Sequence, residues 1–182
     1  MIRQNWRLYS GMVSREECER ITKLCYDTCR LDDGTVFNGA DTTTSSELRQ
    51  TKVGWIEDQG LMSMAVQFLR LANRDAFGFD IDYMPPLQFG EYNEGSFYDY
   101  HYDVNWEGNT PYDRKLSYVL QLSDPSTYEG GVFEFKEIEQ PTRFSEQGSI
   151  LIFPSYLTHR VTKVTKGRRN SLVGWIEGPR WK

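Results

Sequence analysis

Ser149-Ile150-Leu151-Ile152-Phe153 is a run of apolar and β-branched residues stopped by Pro154, and it reads as a buried strand. Working outward, short segments rich in Val, Ile, Leu, Phe and Tyr run from Tyr83 onward. Turn signals separate them at Pro85-Pro86, Asn93-Glu94-Gly95, Asp124-Pro125, Gly130-Gly131 and Gln147-Gly148. Short strands at such spacing predict a sandwich or barrel. Before Tyr83 the period changes. Ser14 with Glu17 forms a capping box, after which Cys18, Ile21, Leu24, Cys25 and Thr28 recur at helical spacing to about Arg30. Thr51 to Glu57 reads as a strand. Asp58 then caps a second helix with an apolar stripe of Leu61, Met64, Ala65, Phe68, Leu69 and Leu71. The expected class is mainly β with supporting α.

The length of 182 residues fits one domain over 1–182, with 1–80 mostly helical support. A formal charge of −5 and a pI near 5.1 argue against a nucleic-acid partner, although Lys163, Lys166, Arg168 and Arg169 make one local basic cluster. No hydrophobic run is long enough to cross a bilayer, and Met1 to Trp6 lacks the apolar stretch of a signal peptide. A soluble, cytoplasmic protein with no membrane partner is the expectation. The three cysteines, Cys18, Cys25 and Cys29, fall within the first predicted helix and are expected as reduced core thiols. Asp32 to Ser46 is polar, Gly- and Thr-rich and without period, hence a loop, either a lid or plain surface. Val-Gly-Trp-Ile-Glu occurs at both 53–57 and 173–177, in strand-like settings that give the two tryptophans a similar facing.

The chain holds two histidines, His101 and His159. If Phe97 to Val104 runs extended, His101 and Asp103 share a face and can bind one ion. His159 follows the strand that Pro154 stops, and a closed sheet can bring it beside that pair. Two imidazoles and a carboxylate on one side of an ion, with other positions open, is the arrangement of non-haem iron(II) oxygenases. Taken singly, His101 also reads as a satisfied histidine in a Tyr-rich surface and Asp103 as a turn residue before Asn105. Ten positions past His159 stands Arg169, with Ser171 on the same strand face. A guanidinium holds a carboxylate through two parallel charge-assisted hydrogen bonds, and a neighbouring hydroxyl adds a third. Arg168 would point to the opposite face, and strand parity alone does not choose between the two arginines.

Tyr92-x-x-Gly95-x-x-Tyr98-x-x-His101-x-Asp103 is followed by Leu120 to Asp124, Glu129 to Phe135, Gly148 to Ser155, and His159 to Arg169, ending near Trp175. As an ordered set these resemble the 2-oxoglutarate/Fe(II) dioxygenase superfamily, specifically its prolyl 4-hydroxylase-like branch. The resemblance implies a double-stranded β-helix (jelly roll) over 81–178. It implies His101, Asp103 and His159 as iron ligands and Arg169 as partner of the far carboxylate of 2-oxoglutarate. Tyr92, Gln121 and Ser171 would be further hydrogen-bonding partners of that co-substrate. Gln121 departs from the pattern, since relatives often carry an aromatic residue there. The implied cofactors are Fe(II), 2-oxoglutarate and O2, with ascorbate as reductant. The implied reaction hydroxylates an unactivated C–H bond while 2-oxoglutarate becomes succinate and carbon dioxide.

By the same resemblance the substrate is a prolyl residue of a peptide or protein, met by an aromatic rim of Tyr98, Tyr100, Trp106 and Tyr112. Two other substrates stay open, a free amino acid and a small metabolite. So do two other protein classes, a cupin-like metalloprotein without 2-oxoglutarate and a metal-free jelly roll. The oligomeric state is not legible in the sequence.

Overall fold

The computed structural model describes residues 4–38 and 41–182. In chain order its elements are β1 (Arg7–Tyr9), α1 (Arg15–Thr28), β2 (Asp32–Asp33), β3 (Val36–Asn38), β4 (Asp41–Thr43), β5 (Arg49–Gln50), β6 (Lys52–Ile56) and α2 (Gln59–Ala72). There follow β7 (Leu87–Tyr92), β8 (Phe97–His101), β9 (Tyr112–Gln121), β10 (Tyr128–Gly130), β11 (Phe133–Phe135), β12 (Ile150–Pro154), β13 (His159–Val161), β14 (Val164–Gly167) and β15 (Arg169–Pro179). A seven-stranded sheet has the order β1-β12-β9-β15-β7-β6-β2, and a four-stranded sheet the order β11-β13-β8-β5. From β7 on, the strands of these two sheets alternate between them: β7 large, β8 small, β9 large, β11 small, β12 large, β13 small, β15 large. That alternation is the jelly roll, and it brings residues far apart in sequence onto facing walls.

The large sheet is buried on both faces, so burial along β9, β12 and β15 is almost continuous instead of alternating in and out. Its outer face presents Leu87, Phe89, Leu116, Tyr118, Leu120, Ile150, Ile152, Leu172 and Ile176 to Cys18, Ile21 and Cys25 of α1 and Leu61, Ala65 and Leu69 of α2. Its inner face meets the small sheet through Val119, Leu151, Phe153, Phe133, Phe135 and Val161. At about 1.5–3 kcal/mol for each fully buried large side chain, these two layers carry most of the folding drive.

Both helices begin where the sequence places them. The Ser14 hydroxyl accepts from the Glu17 amide at 3.2 Å and the Asp58 carboxylate from the Leu61 amide at 2.9 Å. The capping box is only half made, because the Glu17 carboxylate turns to Arg20. Cys18 and Cys25 are core thiols, whereas Cys29 lies beyond the helix as its half-buried C-cap. The first 80 residues are more than helical support, since β1, β2 and β6 extend the large sheet and β5 the small one. Nor is 32–46 a structureless loop. It holds β2 and the paired β3 and β4, with Val36 opposite Thr43. Among the described residues no helix is long and apolar enough to cross a membrane.

Candidate active site

Strand parity sets the inner wall. On β15, Arg169, Ser171, Val173 and Trp175 face inward while Leu172 and Ile176 face the helices. On β7, Gln88 and Tyr92 face inward while Leu87 and Phe89 do not. A cavity of roughly 150 Å³ opens between the sheets, and His101, Asp103, His159, Arg169 and Ser171 all line it.

The two histidines are paired directly across the small sheet, His159 of β13 opposite His101 of β8. One ligand atom from each of His101, Asp103 and His159 lies within 4.8 Å of the others. The Asp103 carboxylate is 3.8 Å from His101 Nε2 and 3.7 Å from His159 Nε2. Each imidazole is fixed from behind, with Nδ1 of His101 donating to the Asp99 carbonyl at 2.7 Å and Nδ1 of His159 to the Leu157 carbonyl at 2.8 Å. A carbonyl only accepts, so both Nδ1 atoms carry a proton, and Nε2 is the ring nitrogen that each histidine has left for an ion. Burial, with His159 nearby, pushes the His101 imidazole down to about 3, which keeps it neutral. For Asp103, burial alone would raise the carboxyl. His159, His101, Arg114 and the Ser117 hydroxyl outweigh it and hold the group below the ordinary range. Ser117 donates to Asp103 Oδ2 at 2.6 Å and also contacts Ser155 at 3.0 Å. Two imidazoles and an ionised carboxylate are a donor set that fits a first-row divalent metal with positions left open.

Extension from Phe97 to Val104 is not what places the trio. β8 ends at His101, and Asp103 sits in a bend held by its amide bonding to the Ser155 carbonyl at 2.8 Å. A bulge within β8, where His101 and Tyr98 pair with His159 and Val161, turns Tyr98 inward as well. Its ring stacks on His101 with centroids 3.4 Å apart. Burial holds the Tyr98 hydroxyl up to about 12, so it stays a neutral phenol.

Arg169 is 2% exposed, its side chain has no hydrogen-bond partner among the described residues, and Nη1 is fully enclosed. It lies opposite Tyr92, with the guanidinium carbon 5.3 Å from that ring's centre. Gly131 (φ +60°) makes room for it, because a Cβ there would stand 3.1 Å from Arg169 Cδ. Arg168 does point the other way, to Glu91 at 3.3 Å on the outer face. Gln121 is placed differently from the other six site residues read from the sequence, all of which line the cavity. It bonds Tyr128 at 2.9 Å and lines a second cavity of about 410 Å³ behind Arg169, outside the first.

Of the aromatic rim read from the sequence, only Tyr98 lines the cavity. Tyr100 lies beneath Arg160, Trp106 packs on Tyr102, and Tyr112 is exposed. The mouth is formed instead by Phe37, Trp55, Tyr102 and Trp175. Both tryptophans of the repeated pentapeptide thus face it, 6.2 Å apart. Sequence reasoning also missed Ser117, Arg49 and Arg114. Parity along β9 gives the signal for Ser117, two places before Val119, but no local pattern marks the two arginines.

A family model for the 2OG-Fe(II) oxygenase superfamily matches residues 87–177. A PKHD-type hydroxylase of Rippkaea orientalis is 39% identical over 94 residues, 50% of this chain and 42% of that protein. Another from Pseudoalteromonas atlantica is 28% identical over 183 residues, 91% of this chain and 75% of that one. The chain spans less than half the length of the first such relatives, 42%, 47% and 41%. Among solved structures, a prolyl-4-hydroxylase of Pseudomonas putida superposes with TM-score 0.69 at 18% identity, covering 97% of this chain and 94% of that one. A Trichoplax adhaerens prolyl hydroxylase, in complex with a hypoxia inducible factor oxygen degradation domain peptide fragment, gives 0.71 at 16%, covering 94% and 83%. At these identities the likeness to solved structures is one of fold.

Proposed function

The chain belongs to the 2OG-Fe(II) oxygenase superfamily, and from that premise we propose that it hydroxylates a prolyl residue of a peptide or protein at the expense of 2-oxoglutarate. In this reading 1–182 is a single domain, His101, Asp103 and His159 hold Fe(II), and Arg169 binds the far carboxylate of 2-oxoglutarate. The observation that carries it is the pairing of that trio with a buried guanidinium in the same cavity that has no acceptor among the described residues. A buried cation without a partner is costly, and a dicarboxylate supplies the missing partner.

When bound, iron with 2-oxoglutarate and O2 supplies the oxidation: one oxygen atom enters a substrate C–H bond and the other enters succinate, with release of carbon dioxide. The chain's own residues do the positioning. The Asp99 and Leu157 carbonyls fix the imidazole tautomers, and Ser117 holds Asp103 ionised and oriented. Ser171 adds a hydroxyl beside Arg169, and Tyr92 closes the cavity over the guanidinium. Gln121, behind Arg169, acts through Tyr128.

The test is succinate formation from 2-oxoglutarate with Fe(II) and ascorbate, across proline-containing peptides and free amino acids. The expected result is metal-dependent succinate stimulated by prolyl peptides, with a product heavier by one oxygen atom. Absence of succinate with every substrate, together with no Fe(II)-dependent absorbance on adding 2-oxoglutarate without oxygen, would overturn the reading.

A further inference from the structure

The cavity wall carries more positive charge than the co-substrate can answer. Arg49, Arg114 and Arg169 line it, and among the described lining residues Asp103 is the one acid. In the reading above, a divalent metal and a dicarboxylate cancel each other, so two arginine charges are left without a counter-charge.

The pairing of the two arginines shows the same excess. Arg49 bonds Thr51 Oγ1 at 2.8 Å, the Thr35 carbonyl at 2.9 Å and Gln88 Oε1 at 2.9 Å, all neutral acceptors. Its guanidinium carbon lies 4.4 Å from the centre of the Tyr98 ring. Arg114 has no hydrogen bond or ion pair from its side chain among the described residues. It is held by stacking alone, 3.7 Å over Trp175 and 5.6 Å from Phe37, at the mouth. The Trp175 indole N–H in the same wall likewise lacks an acceptor. Glu177 acts on Arg114 through space, yet it makes no ion pair with it and does not line the cavity. A stacked guanidinium with its edge open is pre-organised for two-point contact with a planar anion.

We propose that the substrate carries a carboxylate, and that Arg114, with Arg49 behind it, receives that group at the cavity mouth. This rests on the dioxygenase reading and narrows its substrate to prolyl compounds bearing a free C-terminal carboxylate or an adjacent acidic side chain. Stacking on Trp175 orients the guanidinium, and the Phe37 ring on β3 lies 5.6 Å from it. Arg49 adds charge beside it, with three of its five N–H donors already held by Thr51, Thr35 and Gln88. An anionic substrate is also drawn in against the protein's net charge of −5, because the positive groups are gathered inside the cavity.

The experiment measures binding to the Mn(II)- and 2-oxoglutarate-loaded protein by calorimetry, with two matched pairs of probes. One pair is N-acetyl-L-proline against N-acetyl-L-prolinamide. The other is N-acetyl-Asp-Pro-amide against its Asn counterpart. The acid of at least one pair is expected to bind about tenfold more tightly than its neutral partner. Preference in the first pair assigns a terminal carboxylate, and in the second an acidic side chain. Arg114→Gln should erase the preference, and Arg114→Lys, which keeps the charge without the fork, should retain part of it. The wild-type comparison needs no variant: acids that bind no better than their neutral partners, including no binding by any probe, overturn the proposal. Substrate-free conversion of 2-oxoglutarate to succinate reports separately on the reading beneath it. That conversion can stand while the acid preference fails, and the preference can be measured if the conversion is absent.

Discussion

The two faces of the large sheet treat the same kinds of side chain in opposite ways. On the outer face, Glu91, Asn170 and Arg168 meet Tyr26 of α1 in a closed set: Tyr26 donates to Glu91 at 2.5 Å, Asn170 to Tyr26 at 3.1 Å and Arg168 to Glu91 at 3.3 Å. On the inner face, one residue further along each strand, Tyr92 and Arg169 face a cavity, and Arg169 has no acceptor among the described residues. Buried polar groups that satisfy one another hold a structure together. Those left unsatisfied at a cavity mark where a ligand completes the set. Arg168 and Arg169 are adjacent in sequence, and only the sheet face separates the paired guanidinium from the one without an acceptor among the described residues.

That contrast can be broken most severely from inside. His159→Ala removes one of the three converging donors, so metal binding by calorimetry and succinate formation should both fall to background while far-ultraviolet dichroism stays native. Arg169→Ala should raise the KM for 2-oxoglutarate about a hundredfold, roughly 3 kcal/mol for a lost two-point charge-assisted contact. It should also abolish the rise in melting temperature that saturating 2-oxoglutarate gives the Mn(II)-loaded wild type. An unchanged KM would remove the inner arginine from the co-substrate site.

The outer face should answer in stability and leave catalysis alone. Burial by itself would raise the Glu91 carboxyl, but Tyr26, Asn93 and Arg168 together hold it below its ordinary 4.5. Its contribution is therefore fully present above pH 4.5 and lost as pH falls through the lower folded-state value. Glu91→Gln should lower the urea midpoint at neutral pH and flatten its decline between about pH 5 and pH 3, with the KM for 2-oxoglutarate unchanged. A parallel shift at every pH would mean that the carboxylate charge is not what the outer cluster uses. Arg168→Ala should have the smallest effect, under about 1 kcal/mol, because that side chain is 54% exposed and its ion pair is screened by water. An effect of Arg168→Ala on KM as large as that of Arg169→Ala would erase the distinction between the faces.

Much of the site was legible because its ligands are rare and ordered. With two histidines in the chain, one two residues before an aspartate and the other ten before an arginine, few alternatives remain. Strand parity put Arg169 and Ser171 on one face and Arg168 on the other, and the fold decided which face is the inner one. Period failed at irregular backbone: the bulge at Tyr98 and the bend at Asp103 depend on pairing with β13 and on the Ser155 carbonyl, which no local pattern encodes. The 32–46 segment was read as a loop because two- and three-residue strands leave almost no periodicity.

By itself, then, the sequence determined the strand-rich core, the two helix starts and the residues of the metal-competent trio, because spacing and residue type act locally. Tertiary structure decided which groups share one cavity. It folded Phe37 and Arg49 from the N-terminal half over the mouth, moved the aromatic rim to Trp55 and Trp175, and left Arg114 stacked without a partner. Those choices come from sheet order, which joins β6 to β7 and β5 to β8. A sheet sets its neighbours by burying the apolar faces of the whole chain at once, and no single segment carries that information.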